Sequence, residues 1–335
     1  MALRNTTGFL PVTAAIVGNA LVTIAKFGAS LASGSSVMFS EAIHSAADTL
    51  NQVLLLIGLR RSLKKPDESF EYGYGNERFF WALISACGVF FVGAGVTAYK
   101  GITSFLVPPA IEFSPVVFIV LFVAFVVELY TFRIAALALK RAWPHAGFFE
   151  RSRLADPMTL AVYLEDAVAV AGVVIAAFAI GASYYTGNPD WDAAGSIVIS
   201  LFLAATAVVL IVKNRSFLLG RAMPEELQEK VLEIFKKDPA IERVIDFKST
   251  TIDWGVYRIK CEIDFNGGSL LRAAYRGKRM PEQYEELKND YEAFKRFSAD
   301  YADRISRLIG KKIDEIEARV KKAHPEIRHI DIEIN

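Results

Sequence analysis

The chain has 335 residues, 53% of them hydrophobic, with a mean hydropathy of +0.30 and a net charge of +1. That is too apolar for an ordinary soluble fold of this length, and the near-zero charge excludes a nucleic-acid partner held by bulk electrostatics. The two cysteines, Cys87 and Cys261, form no CxxC pair, which excludes a disulfide framework and a thiolate zinc site.

Six apolar stretches follow in chain order, at roughly 9–32, 37–59, 79–106, 114–139, 158–182 and 192–212. Each supplies the roughly 20 residues that a helix needs to cross a hydrocarbon core. Backbone groups in lipid must be bonded internally, and these runs are too long for barrel strands, so they are helices. The first begins like a secretory leader, but Lys26 interrupts it and its removal would leave five helices, so it is read as a span. Lys and Arg cluster in alternate connections: Arg60, Arg61, Lys64, Lys65 and Arg78, then Lys140, Arg141, Arg151 and Arg153, then Lys213, Arg215 and Arg221. The other connections carry only Glu112, Asp190 and Asp192. The positive-inside rule therefore places both termini in the cytoplasm, in the plasma (inner) membrane if the host is prokaryotic.

The predicted division is a six-span transmembrane domain at 1–213 and a charged cytosolic domain at 214–335. In the second part Pro224 opens a helix running to about Lys237, with Leu227, Val231, Ile234 and Phe235 on its apolar face. Strands are expected over Arg243–Thr250 and Val256–Asp264, then a flexible Asn266, Gly267 and Gly268, then one long helix at about 281–323. A last strand, Ile327–Ile334, alternates Ile327, His329, Asp331 and Glu333 with Arg328, Ile330, Ile332 and Ile334. His329 and Asp331 would share a face, with His324 nearby, which is compatible with a metal site, but polar residues facing water on a short strand give the same pattern without one. His145, in the connection before the fifth span, is likewise not read as a ligand.

Ionisable residues inside a membrane are costly and are usually kept for function. Lys100 and Arg133 lie toward helix ends and can snorkel; Lys26 can reach an interface or pair with a carboxylate. The acidic set is concentrated. Glu41, His44 and Asp48 follow an i, i+3, i+7 pattern that places them on one face of the second helix, and Asn51 continues the stripe. Glu165 and Asp166 are adjacent in the fifth helix, about 100° apart, so at least one can face inward. An imidazole and a carboxylate on one helix, met by carboxylates from another, can coordinate a divalent cation. The alternative is an ion-paired cluster, using Lys26, that only holds helices together.

The run from Asn19 through Lys26 and Gly34, Ser35 and Ser36 to Glu41, His44, Asp48, Asn51 and Gln52 resembles the cation diffusion facilitator family. So do Pro66 and Asp67, the Phe70, Glu71, Tyr72 and Gly73 run, and Glu77 with Arg78. The resemblance covers essentially the whole chain. It implies an all-α six-helix transmembrane domain and an α+β, ferredoxin-like αββαβ cytosolic domain for dimerisation and regulation, in a homodimer. It also implies a secondary active transporter rather than an enzyme: a metal–proton antiporter exporting zinc by alternating access, with metal, protons and the bilayer as partners and no cofactor.

His44 with Asp48 matches the family's second-helix signature. In the fifth helix most relatives carry His or Asp four residues before the equivalent of Asp166, where this chain has Val162. The Glu165 and Asp166 pair, with Glu128 in the fourth span, resembles the zinc transporter 9-like branch. His44, Asp48 and Asp166 supply three ligands, so the fourth is Glu165, Glu41 or water, and so oxygen-rich a set also suits manganese, iron or cobalt. Glu41, Asn51 and Glu128 are candidates for orienting ligands or passing protons, or for bonding helices together. No HExxH string supports a membrane metalloprotease. A passive cation channel, or a regulatory protein of the same fold without transport, are the competing readings.

Overall fold

The computed structural model describes residues 9–108, 114–145, 147–274 and 280–335; Glu112, expected in a loop, lies outside them. The chain divides into two compact units, Met1–Leu219 and Gly220–Asn335.

The first unit contains α1 (Phe9–Ser33), α2 (Ser36–Ser62), α3 (Glu77–Gly88), α4 (Gly95–Leu106), α5 (Pro115–Ala142), α6 (Phe148–Leu154), α7 (Pro157–Thr186) and α8 (Asp190–Leu218). Among the described residues six segments are long and apolar enough to cross a membrane: Ile16–Ser33 within α1, α2, the continuous stretch Glu77–Leu106, α5, α7 and α8. Local chemistry sets their ends. Pro115 and Pro157 open α5 and α7, where a missing N–H costs nothing. Gly34, at φ +67°, turns α1 into α2, and the Ser35 hydroxyl caps α2 by accepting the Met38 N–H at 3.1 Å. α8 runs on to Leu218, through the expected boundary at 213.

The third span is not a uniform α-helix. A π-helical turn, Val89–Ala94, separates α3 from α4, which apolar periodicity alone does not reveal. The short α6 was not expected either. Between the spans the core is rich in small residues, with Ala94, Ala124, Ala176, Ala179 and Ala207 packed among Val37, Met38, Leu121, Ile199 and Leu203. Lipid is as apolar as leucine, so helices gain from close van der Waals approach rather than from burial. At Gly195 a Cβ would stand 2.7 Å from that of Ala179, which holds α7 and α8 together at a distance only glycine allows. Leu31 (86% exposed), Phe91 (70%) and Phe122 (68%) point outward, as side chains covered by lipid do.

The second unit contains α9 (Glu225–Lys236), β1 (Ile241–Asp253), β2 (Val256–Phe265), α10 (Gly267–Ala274), α11 (Met280–Leu287), α12 (Tyr291–Ala323) and β3 (Ile327–Ile334). Its sheet has the order β1-β2-β3; β1 and β2 are antiparallel around Gly255, and β3 lies parallel to β2. Val231 and Phe235 of α9 and Ile316 and Val320 of α12 pack on Ile259, Cys261 and Ile263 of β2. Both cysteines are free, and burial pushes the Cys261 thiol up to about 12.

Three expectations are corrected here. Gly267 and Gly268 begin α10 instead of forming a flexible link. The single helix at 281–323 is broken, because Asp290 caps α12 by accepting the Ala293 N–H at 3.0 Å. In β3 the register slips between the Tyr257–Ile327 and Arg258–His329 pairs, so Ile327 and Ile330, expected on opposite faces, are both buried. Asp331 pairs with Arg258 at 2.7 Å and Glu333 with Lys260 at 2.7 Å, so both carboxylates are engaged across strands. Burial, with Arg328 and Lys321 nearby, pulls the His329 imidazole below its ordinary value.

Candidate functional site

The polar face of α2 meets three other spans. Glu41, His44 and Asn51 are buried on it as the spacing predicts, and Asp48 is half-buried. Asn51 donates its side-chain N–H to Glu165 of α7 and accepts the Ser85 hydroxyl of α3, so one amide ties three helices together. A cavity of about 600 Å³ opens beside this face. Asn19 of α1, Asp48 and Gln52 of α2, Glu128 and Thr131 of α5, and Val162, Glu165 and Asp166 of α7 line it. Asp48 and Glu128 stand about half-way along their helices.

His44 is buried next to the cavity rather than in its lining, with Nδ1 3.5 Å from Asp48 Oδ1. Neither of its nitrogens, nor Asp48 Oδ1, has a hydrogen-bond partner among the described residues. A buried polar group left unbonded costs about 1–3 kcal/mol, so this arrangement is poor as packing alone. Among the described residues no three His, Cys, Asp or Glu side chains stand close enough together to hold a metal ion. Asp48, Glu165 and Asp166 thus line one space with His44 beside Asp48, and the four are not assembled into a coordination shell.

Glu41, on the same face of α2, meets α1 instead. It does not line the cavity; its Oε2 accepts from Lys26 Nζ at 2.9 Å, and Glu128 Oε1 accepts from the same ammonium at 2.6 Å. Lys26 has no exposed surface, and an ammonium in that place must be paired, which draws both carboxylates onto it. Removing one partner of such a buried set costs about 3–5 kcal/mol. Lys26 thus pairs and does not snorkel. Arg133 is exposed, and half-buried Lys100 lies 6.0 Å from the Phe39 ring.

Sequence reasoning missed Asp192, read as a loop residue. It lies in the first turn of α8, buried, and accepts the Ser35 hydroxyl and the Ser36 N–H at the start of α2. An acid in a first helical turn, with serines at the start of another helix, was the available signal, but nothing local links two positions so far apart. Ser85 and Thr131 were likewise silent, being ordinary polar residues in apolar runs.

Residues 12–219 match the cation efflux transmembrane domain. The chain is 36% identical over 331 residues to the proton-coupled zinc antiporter SLC30A9, mitochondrial, of Mus musculus, covering 96% of this chain and 58% of that protein. It is 37% identical over 334 residues to metal tolerance protein C4 of Arabidopsis thaliana, covering 96% of this chain and 72% of the other. With an uncharacterized transporter of Methanocaldococcus jannaschii it shares 26% identity over 301 residues, 87% of this chain and 95% of that one. The chain spans little more than half the length of the animal relatives, 58% of the mouse protein.

Proposed function

The chain belongs to the cation efflux family, whose members are multi-pass membrane transporters and not enzymes, and from that premise we propose that it is a divalent metal cation/proton antiporter exporting zinc. The observation that carries this reading is the cavity where Asp48, Glu165 and Asp166 face one space beside a buried, unbonded His44. His44, Asp48 and Asp166, with Glu165 as the fourth group, are the proposed ligands. Val162 leaves the fifth helix without a nitrogen donor, so manganese, iron or cobalt are the competing cargoes.

Metal binds only neutral imidazole and ionised carboxylate, so protons and metal compete for the same atoms. If the helices expose the cavity to each side in turn, protons entering from one side release metal there, and the proton gradient drives export. Asn51 orients Glu165 through its hydrogen bond. The loop charges support a cytoplasmic location for both termini, so loading is cytoplasmic. The likeness to named zinc antiporters supports the cargo and the coupling. The second unit is proposed to be cytosolic and to join two copies in a homodimer.

The test is metal uptake into proteoliposomes with an imposed pH gradient, across zinc, manganese, iron and cobalt. Gradient-dependent uptake, abolished in Asp48→Ala and Asp166→Ala variants that still fold, is expected. Normal transport in both variants would sink the ligand assignment. Downhill flux indifferent to the gradient would favour a channel, and no uptake of any ion would favour a regulatory protein.

A further inference from the structure

Behind one of the carboxylates that line the cavity lies a lysine with no exposed surface. Lys26 Nζ lies between Glu41 Oε2 and Glu128 Oε1, at 2.9 and 2.6 Å. Its two carboxylates are not equivalent. Glu41 is wholly buried and walled in by α7: a Cβ at Gly172 would come within 2.2 Å of Glu41 Oε1. Each acid leaves one oxygen without a hydrogen-bond partner among the described residues, Glu41 Oε1 and Glu128 Oε2, but only Glu128, with a side chain 13% exposed, lines the cavity. One carboxylate is fixed on the ammonium, while the other belongs both to the ammonium and to the cavity.

A carboxylate in that position has two cations to choose between. Coulomb attraction scales with charge, so a divalent ion in the cavity outbids a single ammonium for Glu128 at comparable distance. The exchange is feasible because there are two acids. When Glu128 turns to the ion, Glu41 still pairs Lys26, and no bare ammonium is left in the membrane. When the ion leaves, Lys26 is still in place to pair with Glu128. This argument rests on the exporter reading of the cavity.

We propose that Lys26 is a tethered counter-cation that holds Glu128 at the cavity wall, yields it to an incoming divalent ion and reclaims it on release. Lys26 is a positioning residue: it never touches cargo, and it weakens the bound state so that the ion can leave. Glu128 is the carboxylate through which it acts.

The full chain in nanodiscs, with zinc alone as the probe at mildly alkaline pH, tests this. Affinity is read by competition with a chromophoric chelator, and release by stopped flow. Lys26→Met is expected to bind zinc about tenfold more tightly and release it correspondingly slowly, since a competing unit charge has gone. Lys26→Arg keeps the charge and is expected to behave as the parent protein does. Glu128→Gln is expected to bind about tenfold more weakly, and the Lys26→Met/Glu128→Gln pair to match Glu128→Gln alone. A purely structural lysine would shift unfolding and leave affinity and release unchanged. Unchanged or weaker binding in folded Lys26→Met overturns the proposal, as does tightening that persists without Glu128. If Lys26→Met does not fold, unchanged zinc affinity in Glu128→Gln overturns it instead. A parent protein that binds none of zinc, manganese, iron or cobalt defeats the exporter reading itself, and this proposal with it.

Discussion

Replacing Asp192 by alanine removes a carboxylate that is 1% exposed and bonded to the start of another helix. It accepts the Ser35 hydroxyl, the Ser36 N–H at 2.5 Å and the Val37 N–H at 3.3 Å. Hydrogen bonds to an ionised acceptor contribute about 1.5–3 kcal/mol each. An acid at a helix N-terminus adds up to about 2 kcal/mol in partly buried places. The three bonds share one group, so their losses do not simply add. Asp192→Ala is expected to cost about 3–5 kcal/mol, because two N–H groups lose their acceptor inside the bundle. Asp192→Asn keeps one acceptor oxygen without the charge and should lose about half as much. Unfolding in mixed micelles, followed by tryptophan fluorescence with Trp191 next in sequence, measures both. A loss below about 1 kcal/mol for alanine, or asparagine as harmful as alanine, would refute the reasoning.

Other perturbations probe separate contacts. Gly172→Ala puts a Cβ into the space of Glu41 Oε1, 2.2 Å away, and should destabilise by about 1–3 kcal/mol, read in the same unfolding assay. A neutral effect would mean that Glu41 moves freely, contrary to its pinning on Lys26. Val162→His adds an imidazole to the cavity lining one turn before Asp166 and should raise zinc selectivity over manganese by about tenfold in competition transport; unaltered selectivity would place the ion elsewhere. In the connection between α2 and α3, hydrogen bonds from Lys64 and Tyr74 hold the Asp67 carboxyl down to about 2. Its folded value lies below the unfolded one, so its contribution is complete above the ordinary carboxylate range and disappears as pH falls through about 2. Carboxyl NMR checks this, and titration near the ordinary value would show that the bonds do not persist.

Length and patterning alone carried much of the fold. Each span was legible because lipid acts on each segment separately: a stretch must be long, apolar and internally bonded whatever its neighbours do. The i, i+3, i+7 face of α2 was legible for a similar reason, since helical geometry places Glu41, His44 and Asp48 without help from the rest of the chain. Where the backbone departs from ideal periodicity, sequence reading failed. The π turn at Val89–Ala94 and the slipped register of β3 are such places, because each changes which residues face inward without altering composition.

The candidate site divides along the same line. Its residue types and the helices that carry them were determined by the sequence, and so was the expectation that buried carboxylates would need partners. Only the tertiary structure decided which partner each one has. Lys26 takes Glu41 and Glu128, the latter 102 positions away, Asn51 takes Glu165 at 114, and Asp192 takes Ser35 at 157. Such pairings depend on which helix faces which, and by how much each is rotated. Those quantities follow from small-residue packing summed over the whole bundle, which no local window of sequence contains.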